Sequence, residues 1–270
     1  MKSSLKKILC TIFAIGLIAA FSIGMVACND TDKVINVGYT IFDPMNYTDA
    51  DGNFVGFDTE LAKKVFTDLG YKVNFKQITW SNKYVDLKSG SIDCIWNGFT
   101  SNGMDDGSPR KDLVSFTYNY MKNYQAVVVN KNDVSQYTDI ATSFNGKIGR
   151  VEKGSAGEEY AATFTGANVQ NATAQIDALQ NIAGGACDFV VVDYLLANSI
   201  VGKGNFSNLA IVESLNSDAE YYAVAFKTGS ELTAKVNAQF EKYLADGSLL
   251  ELATKYGLEN ALIKDYSDQK

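Results

Sequence analysis

Residues 185–193 have the sequence Gly-Ala-Cys-Asp-Phe-Val-Val-Val-Asp, in which a turn containing glycine leads into four apolar residues and then an aspartate. Residues 90–97 repeat this pattern as Gly-Ser-Ile-Asp-Cys-Ile-Trp-Asn. Short apolar runs bounded by turn residues predict buried strands. Each half of the chain therefore contains one such strand, followed at once by a polar side chain.

Helical patterns surround both strands. In the first half, Asp58 is a predicted N-cap, apolar residues keep a helical spacing to Leu69, and Gly70 ends the helix. Helices are also predicted at 155–164 and 174–183. This alternation predicts an α/β fold of two Rossmann-like lobes. Ligands bind beyond the carboxyl ends of the strands in such sheets, and Asn97 and Asp193 lie there.

Two further apolar strands, at 124–129 and 221–226, are predicted to cross between the lobes and form a two-strand hinge. Lobe one would then contain residues 34–126 and 223–270, and lobe two residues 127–222. One continuous domain is the alternative, because its core strands would show the same periodicity.

The N-terminus predicts export. Residues 1–27 begin with lysines, continue as an apolar run and are typical of a signal peptide, with a single membrane span as the alternative. Cys28 follows Met25-Val26-Ala27, which resembles a bacterial lipobox. Diacylation of Cys28 would anchor the protein outside the cytoplasm through a tether at 28–33, whereas cleavage without lipidation is the alternative.

The composition excludes several classes of function. Without residues 1–27 the chain has 21 basic and 31 acidic side chains, a net charge of −10, which disfavours nucleic acid as a partner. Histidine is absent, so Ser-His-Asp and Cys-His catalysis are excluded. We predict no metal or cofactor, and we expect Cys94 and Cys187 to be free thiols.

Three residues have the chemistry that a zwitterionic amino acid requires. Arg110 can grip a carboxylate through two hydrogen bonds, or it can be a solvated loop residue. Ser155 and Glu158 form a capping-box pattern, whose free N–H groups can bind a carboxylate or simply start a helix. Asp193 ends a buried strand and needs a partner, either a ligand ammonium or the N-terminus of the next helix.

The other predicted ligand contacts are loop aromatics, which can enclose the aliphatic part of a ligand, and small or polar residues at strand ends and helix starts. They are Phe42, Tyr47, Trp80, Asn97, Gly98, Thr100 and Ala156.

From Val34 to Gly257 the order of these segments resembles the solute-binding proteins of ABC transporters for polar amino acids, which have the type II periplasmic-binding fold. The resemblance rests on residues 53–58, residues 89–93, Gly98 to Thr100 with Arg110, the Gly154-Ser155 helix start, and residues 191–193.

The resemblance implies that Arg110 and the helix start at Ser155 bind the α-carboxylate and that Asp193 binds the α-ammonium. It further implies a monomer that delivers a polar L-amino acid to a membrane permease. The sequence departs from the family in a loop before Arg110 that is several residues longer and in Ala156, where a hydroxyl residue is common. Asn97 stands at a position from which it can contact the ligand side chain. Together, Asn97, Phe42 and Trp80 favour a ligand with a small or medium-sized polar side chain.

Two other functions are compatible with the same scaffold. One is a lyase resembling cyclohexadienyl dehydratase, with Glu152 as the acid, and the other is a sensory module that presents an amino acid to a receptor. We expect binding and not catalysis, because no second catalytic group accompanies Glu152.

Overall fold

The computed structural model describes residues 33–270. The predicted signal peptide and Cys28, the predicted lipidation site, lie outside this range. Lys33, the last residue of the predicted tether, already belongs to the first strand. Within residues 33–270, no helix has both the length and the apolar character needed to cross a bilayer.

Strands and helices alternate along the described chain. The strands are β1 (Lys33–Tyr39), β2 (Tyr47–Thr48), β3 (Phe54–Val55), β4 (Tyr71–Gln77), β5 (Cys94–Ile95), β6 (Met104–Asp105), β7 (Ser108–Pro109), β8 (Ser115–Phe116), β9 (Met121–Asn123), β10 (Gln125–Asn130), β11 (Ile148–Glu152), β12 (Asn168–Ala172), β13 (Phe189–Asp193), β14 (Leu209–Ile211), β15 (Glu220–Tyr222) and β16 (Ala225–Phe226). The α-helices are α1 (Phe57–Asp68), α2 (Lys83–Ser89), α3 (Arg110–Leu113), α4 (Ala156–Ala161), α5 (Gln175–Ala183), α6 (Tyr194–Ile200), α7 (Leu232–Ala245) and α8 (Ser248–Lys255).

The first five-stranded sheet defines lobe one and has the order β4-β1-β5-β16-β8. Strands β1 and β5 run parallel, and β16 lies antiparallel to β5 and β8. Helix α1 buries Leu61, Val65 and Phe66 completely. Because β1 and β5 are parallel, the residues that follow them, including Asn97, meet at one edge of the sheet.

The second five-stranded sheet defines lobe two and has the order β12-β11-β13-β10-β14. Strand β11 is parallel to both β12 and β13, whereas β10 is antiparallel to β13 and β14. All five residues of β13 are buried. The parallel arrangement brings Glu152 and Asp193, the last residues of β11 and β13, to the same edge.

Strands β9 and β15 connect the two sheets. They pair antiparallel, with Asn123 opposite Glu220. Tyr124 alone separates β9 from β10 in lobe two, and two residues separate β15 from β16 in lobe one. The predicted α/β fold with two sheet-based lobes is confirmed. The lobe boundaries at 126–127 and 222–223 stay a prediction.

Several local predictions need correction or refinement. Asp58 is not an N-cap, because α1 begins at Phe57 with Gly56 in the cap position. The Asp58 carboxylate turns inward instead and accepts hydrogen bonds from the Gly98 N–H at 2.8 Å and the Tyr120 hydroxyl. The strand predicted at 221–226 is divided into β15 and β16. Both thiols are free as predicted, Cys94 buried and Cys187 half-buried.

Candidate functional site

A small cavity lies between the two lobes, where the strand ends of both sheets meet. It is lined by Trp80, Asn97, Gly98, Thr100, Arg110, Glu152, Ser155, Ala156, Gln175 and Asp193. Eight of the ten residues predicted to contact a ligand are therefore brought together. The cavity measures about 10 Å³, which is room for roughly one water molecule. The lobes are thus closed on each other.

Arg110 supplies the positive charge from lobe one. It is the first residue of α3 and is only 1% exposed. Its Nε lies 3.2 Å from an Asp105 carboxylate oxygen, and its Nη1 donates to the Thr100 carbonyl at 3.1 Å. A guanidinium has five N–H groups. Its Nη2 donates to the other Asp105 oxygen at 3.5 Å. One N–H on Nη1 and one on Nη2 then have no partner within residues 33–270 and can bind a carboxylate in the cavity.

Lys83 connects the lobes beside Arg110. Its Nζ lies 3.3 Å from Asp105 and donates to the carbonyl of Gly154, in lobe two, at 2.9 Å. Burial lowers the pKa of Lys83 to about 8, although the charge of Asp105 opposes the shift. A second bridge runs from the Met104 N–H to Glu159 of α4 at 3.0 Å. Both bridges hold the hairpin of β6 and β7 against lobe two.

Ser155 begins α4 as predicted. Its Oγ accepts the Glu158 N–H at 3.1 Å, and the Glu158 carboxylate accepts the Gly154 N–H at 2.6 Å. The reciprocal bond of the capping box thus goes to Gly154 and not to Ser155. Ala156 follows as the first helical residue and lines the cavity with Ser155.

Asp193 supplies the negative charge from lobe two. It occupies the N-cap position of α6 but makes no side-chain bond to that helix, so the capping interpretation is wrong. Its carboxylate instead accepts N–H groups from the amides of Asn123 at 2.8 Å, Gln125 at 2.7 Å and Gln175. Burial raises its pKa, and the hydrogen bonds from Gln175 and Gln125 oppose the rise. No lysine or arginine of residues 33–270 lies within 4.0 Å of it.

Two more buried carboxyl groups lie close to Asp193. Glu220 of the hinge strand β15 accepts hydrogen bonds from the same amides of Asn123 and Gln125. Burial and the charge of Asp193 raise the pKa values of Glu152 and Glu220 to about 8. Glu152 lines the cavity whereas Glu220 does not. Sequence reasoning considered Glu152 only as an acid catalyst, although its place at the end of β11 matches that of Asp193 on β13. It did not include Gln175, the first residue of α5.

The structure does not bring Phe42 and Tyr47 to the cavity. Phe42 is hydrogen-bonded through its backbone to Asn46 in a tight turn, and its buried ring packs edge-on against Tyr222 behind Gly98. Tyr47 lies on β2 and lines a separate groove of about 730 Å³. Their position in loops was visible in the sequence, but the direction of their side chains depends on these backbone pairings.

Residues 35–259 match the family described as bacterial extracellular solute-binding proteins, family 3. The chain belongs to this family. The resemblance inferred from the order of the motifs is thereby confirmed, and the match covers both lobes and the two strands between them.

Individual relatives extend this result. The L-cystine-binding protein TcyA of Bacillus subtilis (strain 168) is 26% identical over 220 residues, which cover 80% of this chain and 77% of that protein. A probable amino-acid ABC transporter-binding protein of Haemophilus influenzae is 26% identical over 223 residues, 79% of this chain and 80% of that protein. Among solved structures, an ancestral arginine-binding protein bound to arginine superposes with a TM-score of 0.74 at 29% identity, covering 83% of this chain and 97% of that one.

Proposed function

We propose that this solute-binding protein captures a free amino acid in the cavity between its lobes and delivers it to the permease of an ABC transporter. The observation that carries the proposal is the presence of Arg110 and Asp193, opposite charges from different lobes, on one buried cavity. The relatives named for cystine, arginine and amino-acid ABC transport support the same class of solute.

The two charges fit the two ends of an amino acid. The free N–H groups on Arg110 bind the α-carboxylate, with the helix start at Ser155 as a further donor. Asp193 binds the α-ammonium, which supplies the cationic partner that the three amides do not. Both interactions are strong here because the cavity is shielded from water.

The bound and unbound forms differ by a movement of the lobes. A cavity of about 10 Å³ is too small for an amino acid, so the lobes must separate to admit one. Strands β9 and β15 are the natural hinge. A ligand that contacts Arg110 and Asp193 together stabilises the closed form, which the permease then recognises.

The location of the protein follows from the N-terminal pattern. We infer that residues 1–27 direct export and that acylated Cys28 holds a monomeric protein at the outer surface of the cytoplasmic membrane. The family is described as extracellular, and this description supports the inference that the protein is exported. The lyase alternative gains no support from the relatives above, which are named as binding proteins, and a receptor-facing sensor would use the same ligand site.

A thermal-shift screen against the common L-amino acids tests the proposal. A ligand at about 100 times its dissociation constant adds about 2.7 kcal/mol to the free energy of unfolding. At least one amino acid should stabilise the protein, whereas its amide and its des-amino acid, which each lack one end of the zwitterion, should not. Equal stabilisation by an amino acid and its des-amino analogue would refute the role of Asp193.

A further inference from the structure

Glu152 has a buried oxygen without a partner. The side chain is 2% exposed and lies on the cavity, and its Oε1 has no hydrogen bond within residues 33–270. A buried acceptor without a donor costs free energy, so such groups are usually completed by water or a ligand. Because Glu152 lines the cavity, a ligand or a water molecule there can supply the missing partner.

Asn97, which was predicted to contact the ligand side chain, already uses its amide group in hydrogen bonds within the protein. Its amide nitrogen donates to the Thr40 carbonyl at 2.8 Å and to the Asn46 side chain at 2.7 Å, and its oxygen accepts the Thr40 hydroxyl at 2.6 Å. Both N–H groups of Asn97 are therefore used within lobe one. Glu152, in contrast, presents to the cavity a side chain with a buried acceptor oxygen that has no partner within residues 33–270.

The charges around the cavity favour a cation. Two basic groups, Lys83 and Arg110, stand against three acidic groups, Asp105, Glu152 and Asp193, all buried or nearly so. The α-carboxylate and α-ammonium of a bound amino acid add no net charge to this set. With Glu152 ionised, a positive group on the ligand side chain would balance this set.

Trp80 adds a second feature suited to a cation. Its buried ring lines the same cavity as Glu152, from the opposite lobe. Nζ of Lys83 lies over one face of this ring, 5.1 Å from its centre, so the indole already stands beside one positive charge. Aromatic faces attract ammonium and guanidinium groups, more strongly so away from water.

We propose, building on the proposed function, that Glu152 selects an amino acid with a cationic side chain, whose ammonium or guanidinium pairs with the Glu152 carboxylate. Trp80 forms the opposite wall of this side-chain site, while Arg110 and Asp193 hold the α groups. The solute is then a basic amino acid, which differs from the small or medium-sized polar side chain expected from Phe42 and Asn97.

Pairing with a cation also moves a proton. Burial and the charge of Asp193 raise the pKa of Glu152 to about 8, Lys83 opposes this rise, and Asp177 adds to it. Near neutral pH the carboxyl group therefore holds a proton most of the time. A ligand cation beside it favours the ionised form, so the proton passes to the buffer on binding.

Titration calorimetry with L-arginine and L-citrulline tests the inference, because citrulline has a neutral urea group in place of the guanidinium. The unmodified protein should bind arginine at least about 30-fold more tightly. Glu152→Gln should remove most of this preference by weakening arginine alone, with citrulline changed less than about threefold. In buffers of different ionisation enthalpy at pH 7.5, arginine should release protons from the unmodified protein and not from Glu152→Gln.

Glu220→Gln is the matched control, because Glu220 is equally buried, has a similar pKa and does not line the cavity. It should keep the preference for arginine. Equal or tighter binding of citrulline, or of glutamine, by the unmodified protein would overturn the role of Glu152 and leave amino-acid binding intact. Absence of binding by every amino acid would overturn both proposals.

Discussion

Replacing Asp193 by asparagine separates ligand binding from folding. The substitution keeps the shape of the side chain and one acceptor oxygen, but it removes the charge that the α-ammonium needs. The three amides that donate to Asp193 belong to Asn123, Gln125 and Gln175. Glutamine and asparagine amides can turn over to match a new donor, so the polar cluster can persist around the substituted residue.

The expected loss of affinity is large. Removing one member of a buried, hydrogen-bonded charge pair costs about 2 to 5 kcal/mol, because the other charge stays buried without a partner. This corresponds to a dissociation constant higher by about 30-fold to about 4,000-fold. The ligand ammonium would lie in the cavity beside neutral amides, with Glu152 as the remaining acid that lines the cavity.

Stability should change in the opposite direction. Burial raises the pKa of Asp193, so the folded protein favours its protonated form more than the unfolded chain does. Such a group stabilises the fold at low pH and loses this contribution as pH rises through the folded pKa. At neutral pH asparagine avoids the cost of a buried charge, and the free energy of unfolding without ligand should rise.

Calorimetry with the tightest amino acid from the screen, together with urea unfolding without ligand, measures both effects. Glu220→Gln is again the control: it removes a buried carboxyl group that is bonded to the same amides but does not itself line the cavity. It should raise stability, with affinity within about threefold of the unmodified protein. An Asp193→Asn protein that binds as tightly as the unmodified one would refute the ammonium site. A protein destabilised by more than about 1 kcal/mol would refute the reasoning about burial.

Three other changes test single contacts. Ser155→Ala removes the N-cap of α4 and should lower the free energy of unfolding by about 1 kcal/mol in urea titrations; no loss would show that the cap is dispensable. Lys83→Met removes the bond to the Gly154 carbonyl and should increase the radius of gyration without ligand in X-ray scattering, whereas an unchanged radius would deny that Lys83 holds the lobes closed. Burial raises the pKa of Asp58 from 3.8 to about 7, so stability should fall as pH rises across this interval. Asp58→Asn should flatten that dependence, and an unchanged slope would contradict the assignment.

The sequence predicted the site best where one topological rule applied. Asn97 and Asp193 each follow a buried strand, and parallel strands bring their carboxyl ends to one edge. Glu152 ends β11 and satisfies the same rule. The helix start at Ser155, three residues later, was instead predicted as the ligand contact in this segment. Applied uniformly, the rule would have placed Glu152 in the ligand site.

The rest depended on side-chain direction, which periodicity does not give. Asp58 has a residue type and a position that are typical of an N-cap. Its carboxylate instead points into the interior and accepts hydrogen bonds from the Gly98 N–H and the Tyr120 hydroxyl. Phe42 and Tyr47 were predicted to lie in loops, and in a loop the pattern of apolar residues does not predict the direction of an aromatic side chain. The direction of these side chains depends on contacts with residues far away in the sequence, which a local pattern cannot predict.

The long loop before Arg110 shows how an apparent departure from the family supports the site. Asp106 and Gly107 both have positive φ values, 48° and 79°, in a two-residue turn between β6 and β7. Asp-Gly is a strong hairpin signal for this reason, and it was present in the sequence. The hairpin folds back so that Asp105 pairs with Arg110. The hairpin residues therefore hold the guanidinium at the cavity, because they include the carboxylate that orients it.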